Sequence, residues 1–158
     1  MINNLKITAA LIRRSRPDFQ FKAFNDSPIT PLNKPLQECK LAIITTGGIH
    51  LKSDIPFYMK EPGGDCSYRT IPYDIEDNAF RVSHKWYNHK FINSDINCVF
   101  PIDRMREYAR KGVIGALSEK HYSFMGHIYE TGPLVKNVKK VGDRLKKLNV
   151  DIAFLTPT

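Results

Sequence analysis

Four short apolar runs punctuate the chain: Leu41–Ile44, Ile96–Phe100, Val113–Ser118 and Val150–Pro157. Each is too short for a typical helix and is bounded by turn-forming residues, the pattern of a strand buried on both faces. Thr45-Thr46-Gly47-Gly48 closes the first and Pro101 ends the second. Helical periodicity predicts three helices. Residues 3–14 form a short amphipathic one. A second runs from Asp103 to about Lys111, with a carboxylate in its first turn and Gly112 as its stop. The third covers residues 131–149, where Leu134, Val138, Val141, Leu145 and Leu148 make an apolar stripe, Thr131 is the expected cap and Pro133 sits in the first turn.

Between these elements lie stretches without a period. Residues 25–38 carry three prolines and read as an extended linker. Residues 52–94 read as irregular, and a loop region of that length inside a compact domain is functional more often than filler. Residues 121–130 read as a further loop. The order predicts an α/β fold, a mostly parallel sheet with helices on both faces. Residues 1–40 form an N-terminal helix and Pro-containing linker, and residues 41–158 the α/β domain. Four strand ends, "TTGGIH", "FPID", "LSEKH" and "LTPT", are expected near one edge, where open α/β sheets bind ligands.

Charge changes the picture little. The net charge is +8 over 158 residues, concentrated in Arg13, Arg14 and Arg16 and in "KNVKKVGDRLKK". The second tract is the solvated face of the third helix, and no nucleic-acid motif accompanies it, so a nucleic-acid partner is not expected. No run reaches the roughly 18–20 apolar residues of a membrane span, and the N-terminal arginines follow the apolar residues instead of preceding them, which predicts a cytoplasmic protein. Cys39, Cys66 and Cys98 are too few and too scattered for a disulfide framework or a zinc site. Cys98, inside the second expected strand, reads as a buried inert thiol.

The candidate chemistry is polar and incomplete. Thr46 and Gly47 lie in a turn that lacks either phosphate-loop signature, so a plain tight turn competes with nucleotide binding. His50 follows it and could serve as an acid or base. Asp65 and Arg69 are an i, i+4 pair. The arginine fork suits a substrate carboxylate, and a local ion pair is the alternative. Between them, Cys66 is either a nucleophile or a small hydrophobe. His84 and His89 lack a clear third metal ligand. Asp95, Asn97 and Asp103 complete the polar set. No full nucleophile–base–orienter arrangement emerges.

Taken together, "LAIITTGGIHLKSDIPF", "GDCSYRTIP", "VSHKWYNH", "DINCVFPIDRMREYARKGVIGALSEKHYSFMG" and "VDIAFLTPT" occur in family order over residues 41–158 and resemble the selenoprotein B family. These are the substrate-specific subunits of glycine, sarcosine, betaine and D-proline reductases, and the chain looks nearer to the D-proline branch. Residues 1–40 share no such likeness. In the family the strand equivalent to "DIAFLTPT" is followed at once by selenocysteine, or by cysteine in some relatives. The resemblance therefore implies that the nucleophile follows Thr158 and that these residues are the N-terminal part of a longer subunit with an incomplete sheet. It also implies reductive cleavage of a C–N bond in a small amino acid, with a thioredoxin-type dithiol as electron donor and a pyruvoyl group on a partner subunit. On that reading Thr46, Gly47, Asp65, Arg69, Asp95, Asn97 and Asp103 line or order the substrate cleft, and His50 or His84 moves protons. The alternative is a stand-alone, non-catalytic member that acts as a binding or assembly module.

Overall fold

The computed structural model describes residues 2–15, 17, 25–26, 29–76, 79–84 and 87–157. The chain forms two compact units, residues 1–31 and 32–158. The first holds helix α1, Ile2–Ser15, where the periodicity placed it, with Ile7 and Leu11 exposed.

In the second unit the central strand is β1, Lys40–Thr45. One side of β1 pairs in parallel with β7, Ile152–Thr156. The other side pairs in parallel with β5, Ala116–Leu117, near its start and with β6, Lys120–Phe124, near its end. Strand β3, Tyr68–Pro72, runs antiparallel to β6. Strands β2, Ile49–Leu51, and β4, Phe80–Val82, make a separate antiparallel pair. The helices are α2, His89–Ser94, α3, Ile102–Arg110, and α4, Thr131–Lys147. Among the described residues no helix is long and apolar enough to cross a membrane.

Successive side chains of β1 feed opposite layers, as the twofold period of a strand requires. Leu41 and Ile43 pack with Ile92, Ile102 and Met105 of α2 and α3. Ala42 packs with Val141 and Leu145 of α4 and with Tyr122 and Phe124 of β6. The expected α/β architecture, mostly parallel with helices on both faces, is therefore present. The apolar run of β1 is continuous because both of its faces are covered.

Several local expectations are corrected. Residues 96–98 form a short 3-10 turn and not a strand, because the Asp95 side chain accepts from Asn97 N–H and starts a helical turn there. Phe100 and Ile96 are buried, but under the sheet face and outside its ladder. Cys98 is consequently exposed. The expected loop at 121–130 begins as β6, whose Tyr122 and Phe124 point to α4 while His121 faces Phe100. The stretch 52–94 contains β3, β4 and α2. Thr131 is the first residue of α4, and Glu130 stands at the cap position with no side-chain cap bond. Gly112 does stop α3, in the left-handed region at φ 68°.

One side chain enters the sheet ladder. Ser118 N–H bonds the Leu41 carbonyl, and beyond it the path from β5 to β6 breaks register. Ile43 N–H then donates to the imidazole Nδ1 of His121 at 3.0 Å. That bond fixes the neutral tautomer with its proton on Nε2.

Candidate active site

The carboxyl ends of β1, β6 and β7 converge. Thr46 N–H donates to the Thr156 carbonyl, and Gly48 N–H to the Phe124 carbonyl. Gly47 N–H donates to Thr45 Oγ1 at 3.0 Å. The amides of Thr46, Gly47 and Gly48 are thus all engaged within the protein, so the turn offers no ready cradle for a phosphate. Glycine is required at position 48 for two reasons: its φ is 66°, and a Cβ there would lie 2.4 Å from the Ser83 carbonyl oxygen. The hydroxyls of Thr45 and Thr156 both donate to the Val99 carbonyl. Of the four expected strand ends, "TTGGIH" and "LTPT" meet here. "FPID" is not a strand, and it is the preceding Val99 that meets the junction, through its carbonyl. "LSEKH" lies at the β5–β6 break, and the true end of β6 is Phe124–Gly126.

A histidine–tyrosine group covers this junction. The Tyr87 hydroxyl donates to the Gly47 carbonyl at 2.6 Å. Its ring lies 4.6 Å from that of His84 and 5.1 Å from that of His89. His89 Nε2 donates to the His84 carbonyl at 2.7 Å. His84 sits against Gly126, where a Cβ would stand 2.5 Å from its Nε2 and 3.2 Å from the Thr46 carbonyl oxygen. Burial, with His127 and His89 nearby, pushes the His84 pKa below its ordinary value. Burial pushes the Tyr87 phenol up to about 12. At neutral pH this is a neutral, partly desolvated pair beside the end of β7, suited to holding or moving a proton. A cavity of about 690 Å³ lies next to it, lined by Lys52, Arg81, His89, Asn93 and Asp95 among others.

The remaining expected site residues fall elsewhere. His50 donates from Nδ1 to the Leu51 carbonyl at 2.8 Å and accepts from Ser83 Oγ at Nε2 at 2.9 Å, so both its nitrogens are occupied. Arg69 donates to the carbonyls of Ile55, Pro56 and Tyr68 and to Ser67 Oγ, and it stacks 4.3 Å from the Phe57 ring centroid. Asp65 accepts from Tyr58 N–H, Ser67 N–H and Ser67 Oγ. Burial pushes its carboxyl up, but these hydrogen bonds and Arg69 outweigh it and hold the pKa below the ordinary value. The local-pair alternative is nearest to this arrangement, with Ser67 as the bridge.

Asn97 donates to Asp95 and Asp103 and accepts from Asp103 N–H. Asp103 also pairs with Arg106 at 2.9 Å, and Arg106 donates to the Tyr73 and Ile75 carbonyls. This cluster fastens the start of α3, and only Asp95 of its members lines the large cavity. Burial pushes the Cys66 thiol up, with Asp65 adding to the shift. Cys39 is buried with its thiol on the Pro35 carbonyl. Cys66 is therefore not an activated nucleophile, and Cys39 is closed off from solvent.

Tyr87, Gly126 and Thr156 are site residues that sequence reasoning passed over. The signal for the first two was present in the strings "SHKWYNH" and "HYSFMG".

The family profile described as glycine/sarcosine/betaine reductase selenoprotein B matches residues 13–158, and the chain belongs to this family; the likeness reaches back into residues 13–40, where none was expected. It is 39% identical over 134 residues to the D-proline reductase subunit gamma of Acetoanaerobium sticklandii, covering 80% of this chain and 52% of that protein. It is 28% identical over 144 residues to the glycine reductase complex component B subunit gamma of Symbiobacterium thermophilum, covering 89% of this chain and 33% of that protein. Identity to the sarcosine reductase complex component B subunit beta of Peptoclostridium acidaminophilum is 32% over 136 residues, covering 82% of this chain and 29% of that protein. The chain thus spans about half the length of the D-proline reductase relative and about a third of the others. No solved structure matches it.

Proposed function

We propose that the chain is the N-terminal part of a selenoprotein subunit of a cytoplasmic amino-acid reductase, acting on a C–N bond of D-proline, glycine, sarcosine or betaine. The carrying observation is the junction at the end of β7. Thr156 is bonded to Thr46 and Val99, beside the buried His84 and the half-buried Tyr87, in a chain whose family match runs through residue 158. The selenocysteine or cysteine nucleophile is expected immediately after Thr158. The carboxyl end of a parallel strand is where such a group faces a ligand. The ionised chalcogen is the attacking species, and a selenol ionises more readily than a thiol.

The nucleophile bonds to the carbon next to nitrogen, and the C–N electron pair leaves on the nitrogen, which takes up a proton. A dithiol partner then supplies two electrons and becomes a disulfide, while the carbon–chalcogen bond breaks, the carbon takes up a proton to end as C–H, and the nucleophile is released in its ionised form. A pyruvoyl group on a partner subunit would supply the electron-withdrawing carbonyl that activates the amine. In this chain, His84 is the better-placed proton carrier, because its ring lies against Tyr87, whose hydroxyl holds the Gly47 carbonyl at the junction. The cavity beside His89 is the candidate substrate space, with Lys52 and Arg81 available to a carboxylate.

The second reading, a non-catalytic assembly module, draws support from Cys66, whose thiol is pushed up by burial and by Asp65 and so is not activated. The gene decides between them. UGA or a cysteine codon after Thr158, followed by an open frame, supports the reductase. The longer chain with its partner subunit should then release a dithiol-dependent product, and alanine at the next position should abolish that release. UAA or UAG with no open frame after it leaves the module.

A further inference from the structure

Between the last turns of α4 and the β3–β6 pair lies a second, smaller cavity of about 280 Å³. It is lined by Thr70, Lys120, Tyr122, Arg144, Lys147 and Leu148. Thr70 and Tyr122 are direct cross-strand partners, and Lys120 follows on the same face of β6, two residues before Tyr122. Tyr122 is fully buried, yet among the described residues its hydroxyl has no hydrogen-bond partner. A buried hydroxyl left in that state is costly, so a native site retains one where something bonds to it. Among the described residues no carboxylate forms an ion pair with Lys120, Arg144 or Lys147. The Arg144 guanidinium lies 5.3 Å from the Tyr68 ring centroid, and the Tyr68 ring meets that of Tyr122 edge-on at 5.9 Å.

We propose that this cavity binds a phosphate group, carried by inorganic phosphate or by a small phosphate ester. Arg144 supplies a planar fork, and Lys120 and Lys147 supply point charges. The hydroxyls of Tyr122 and Thr70 supply further donors from the floor. Three cations around one small space match a dianion better than a carboxylate. They also outweigh the partial negative charge at the carboxyl end of α4. A solvated basic helix face accounts for Lys136, Lys139 and Lys140, but it leaves the Tyr122 hydroxyl unexplained. The site lies apart from the His84 junction, and the inference stands whether or not the reductase reading does.

The test is calorimetric titration of the full-length chain with inorganic phosphate, glycerol phosphate and acetate, all at one ionic strength. Saturable binding of one of the two phosphates is expected, weakened about tenfold or more by Arg144→Gln or Lys147→Gln, with acetate at least tenfold weaker. The tighter of the two phosphates identifies the source. Tyr122→Phe should weaken binding severalfold while leaving the melting temperature in phosphate-free buffer unchanged or higher, because it removes an unbonded hydroxyl. The proposal is overturned by no saturable binding of either phosphate, by acetate binding as well, or by affinities unchanged in the three variants.

Discussion

Thr45 and Thr156 donate their hydroxyls to one acceptor, the carbonyl of Val99, at 2.8 and 2.7 Å. Two parallel strands and the segment entering α3 are thereby fastened at a single oxygen. Thr156→Val should cost about 1 kcal/mol, since the carbonyl keeps Thr45. Thr45→Val should cost more, about 1–3 kcal/mol, because Gly47 N–H also loses its acceptor. The double variant leaves Val99 without either hydroxyl, so its cost should exceed the sum of the two. Urea unfolding of the four proteins measures this. A strictly additive double variant would mean that the shared carbonyl carries no coupling.

Two glycines should respond to the same substitution with opposite signs. At Gly126 an added methyl meets His84 Nε2 at 2.5 Å. Gly126→Ala should displace the imidazole, cost about 1–3 kcal/mol and shift the His84 ring resonances in NMR spectra. At Gly132, in the first turn of α4, nothing lies within 4 Å. Gly132→Ala should be neutral or stabilising by up to about 1 kcal/mol, because helical glycine costs backbone entropy. Thermal melts of the two variants side by side make the comparison.

Arg69 separates a structural role from a substrate-clamping one. Its fork holds three carbonyls and a hydroxyl of residues 55–68 while lying over Phe57. Lysine keeps the charge but not the planar donors. Arg69→Lys is therefore expected to loosen this segment, read as faster proteolysis between residues 55 and 66. A variant as protease-resistant as the parent, but with a raised KM in the assembled enzyme, would assign the guanidinium to substrate instead.

The sequence carried the architecture wherever burial was symmetric. β1 and most of the α4 stripe were legible because one is apolar on both faces and the other repeats at helical spacing, although Val138 of that stripe is half exposed. Reading failed where a side chain replaced the usual backbone partner. The run at residues 96–100 looks like a strand, but Asp95 caps Asn97 and turns it into a helical loop. β6 looks like a loop because His121 and Ser123 are polar. Both are buried, and the His121 ring does the work of a ladder carbonyl. The site divided in the same way. His84 was legible by residue type, whereas Arg69, Asn97 and His50 have ligand-binding chemistry that the fold uses internally. Which of these occurs depends on partners distant in the chain, and single-sequence patterns do not carry that information.

His121 should make stability depend on pH in a defined window. Burial, with Arg106 nearby, pushes it from the ordinary 6.5 down to about 4. The unfolded chain therefore takes up this proton at a higher pH than the native chain does. The contribution is complete above pH 6.5 and declines as the pH falls from 6.5 to about 4. Its total is about 3 kcal/mol, at roughly 1.4 kcal/mol per pH unit. Asp65 and Asp103 are held below the ordinary 3.8, so their contributions are lost only as the pH falls below that value, outside the histidine window. His84 is also pushed down and leaves a residual slope of its own within the window. His121→Asn keeps an acceptor for Ile43 N–H but does not titrate. It should lower the plateau at pH 7 through lost packing against Phe100. It should also flatten the decline between pH 6.5 and 4 by about 3 kcal/mol relative to the parent. Urea unfolding at pH 7, 6, 5 and 4 on both proteins gives the two slopes. Equal slopes would mean that His121 is not the titrating group.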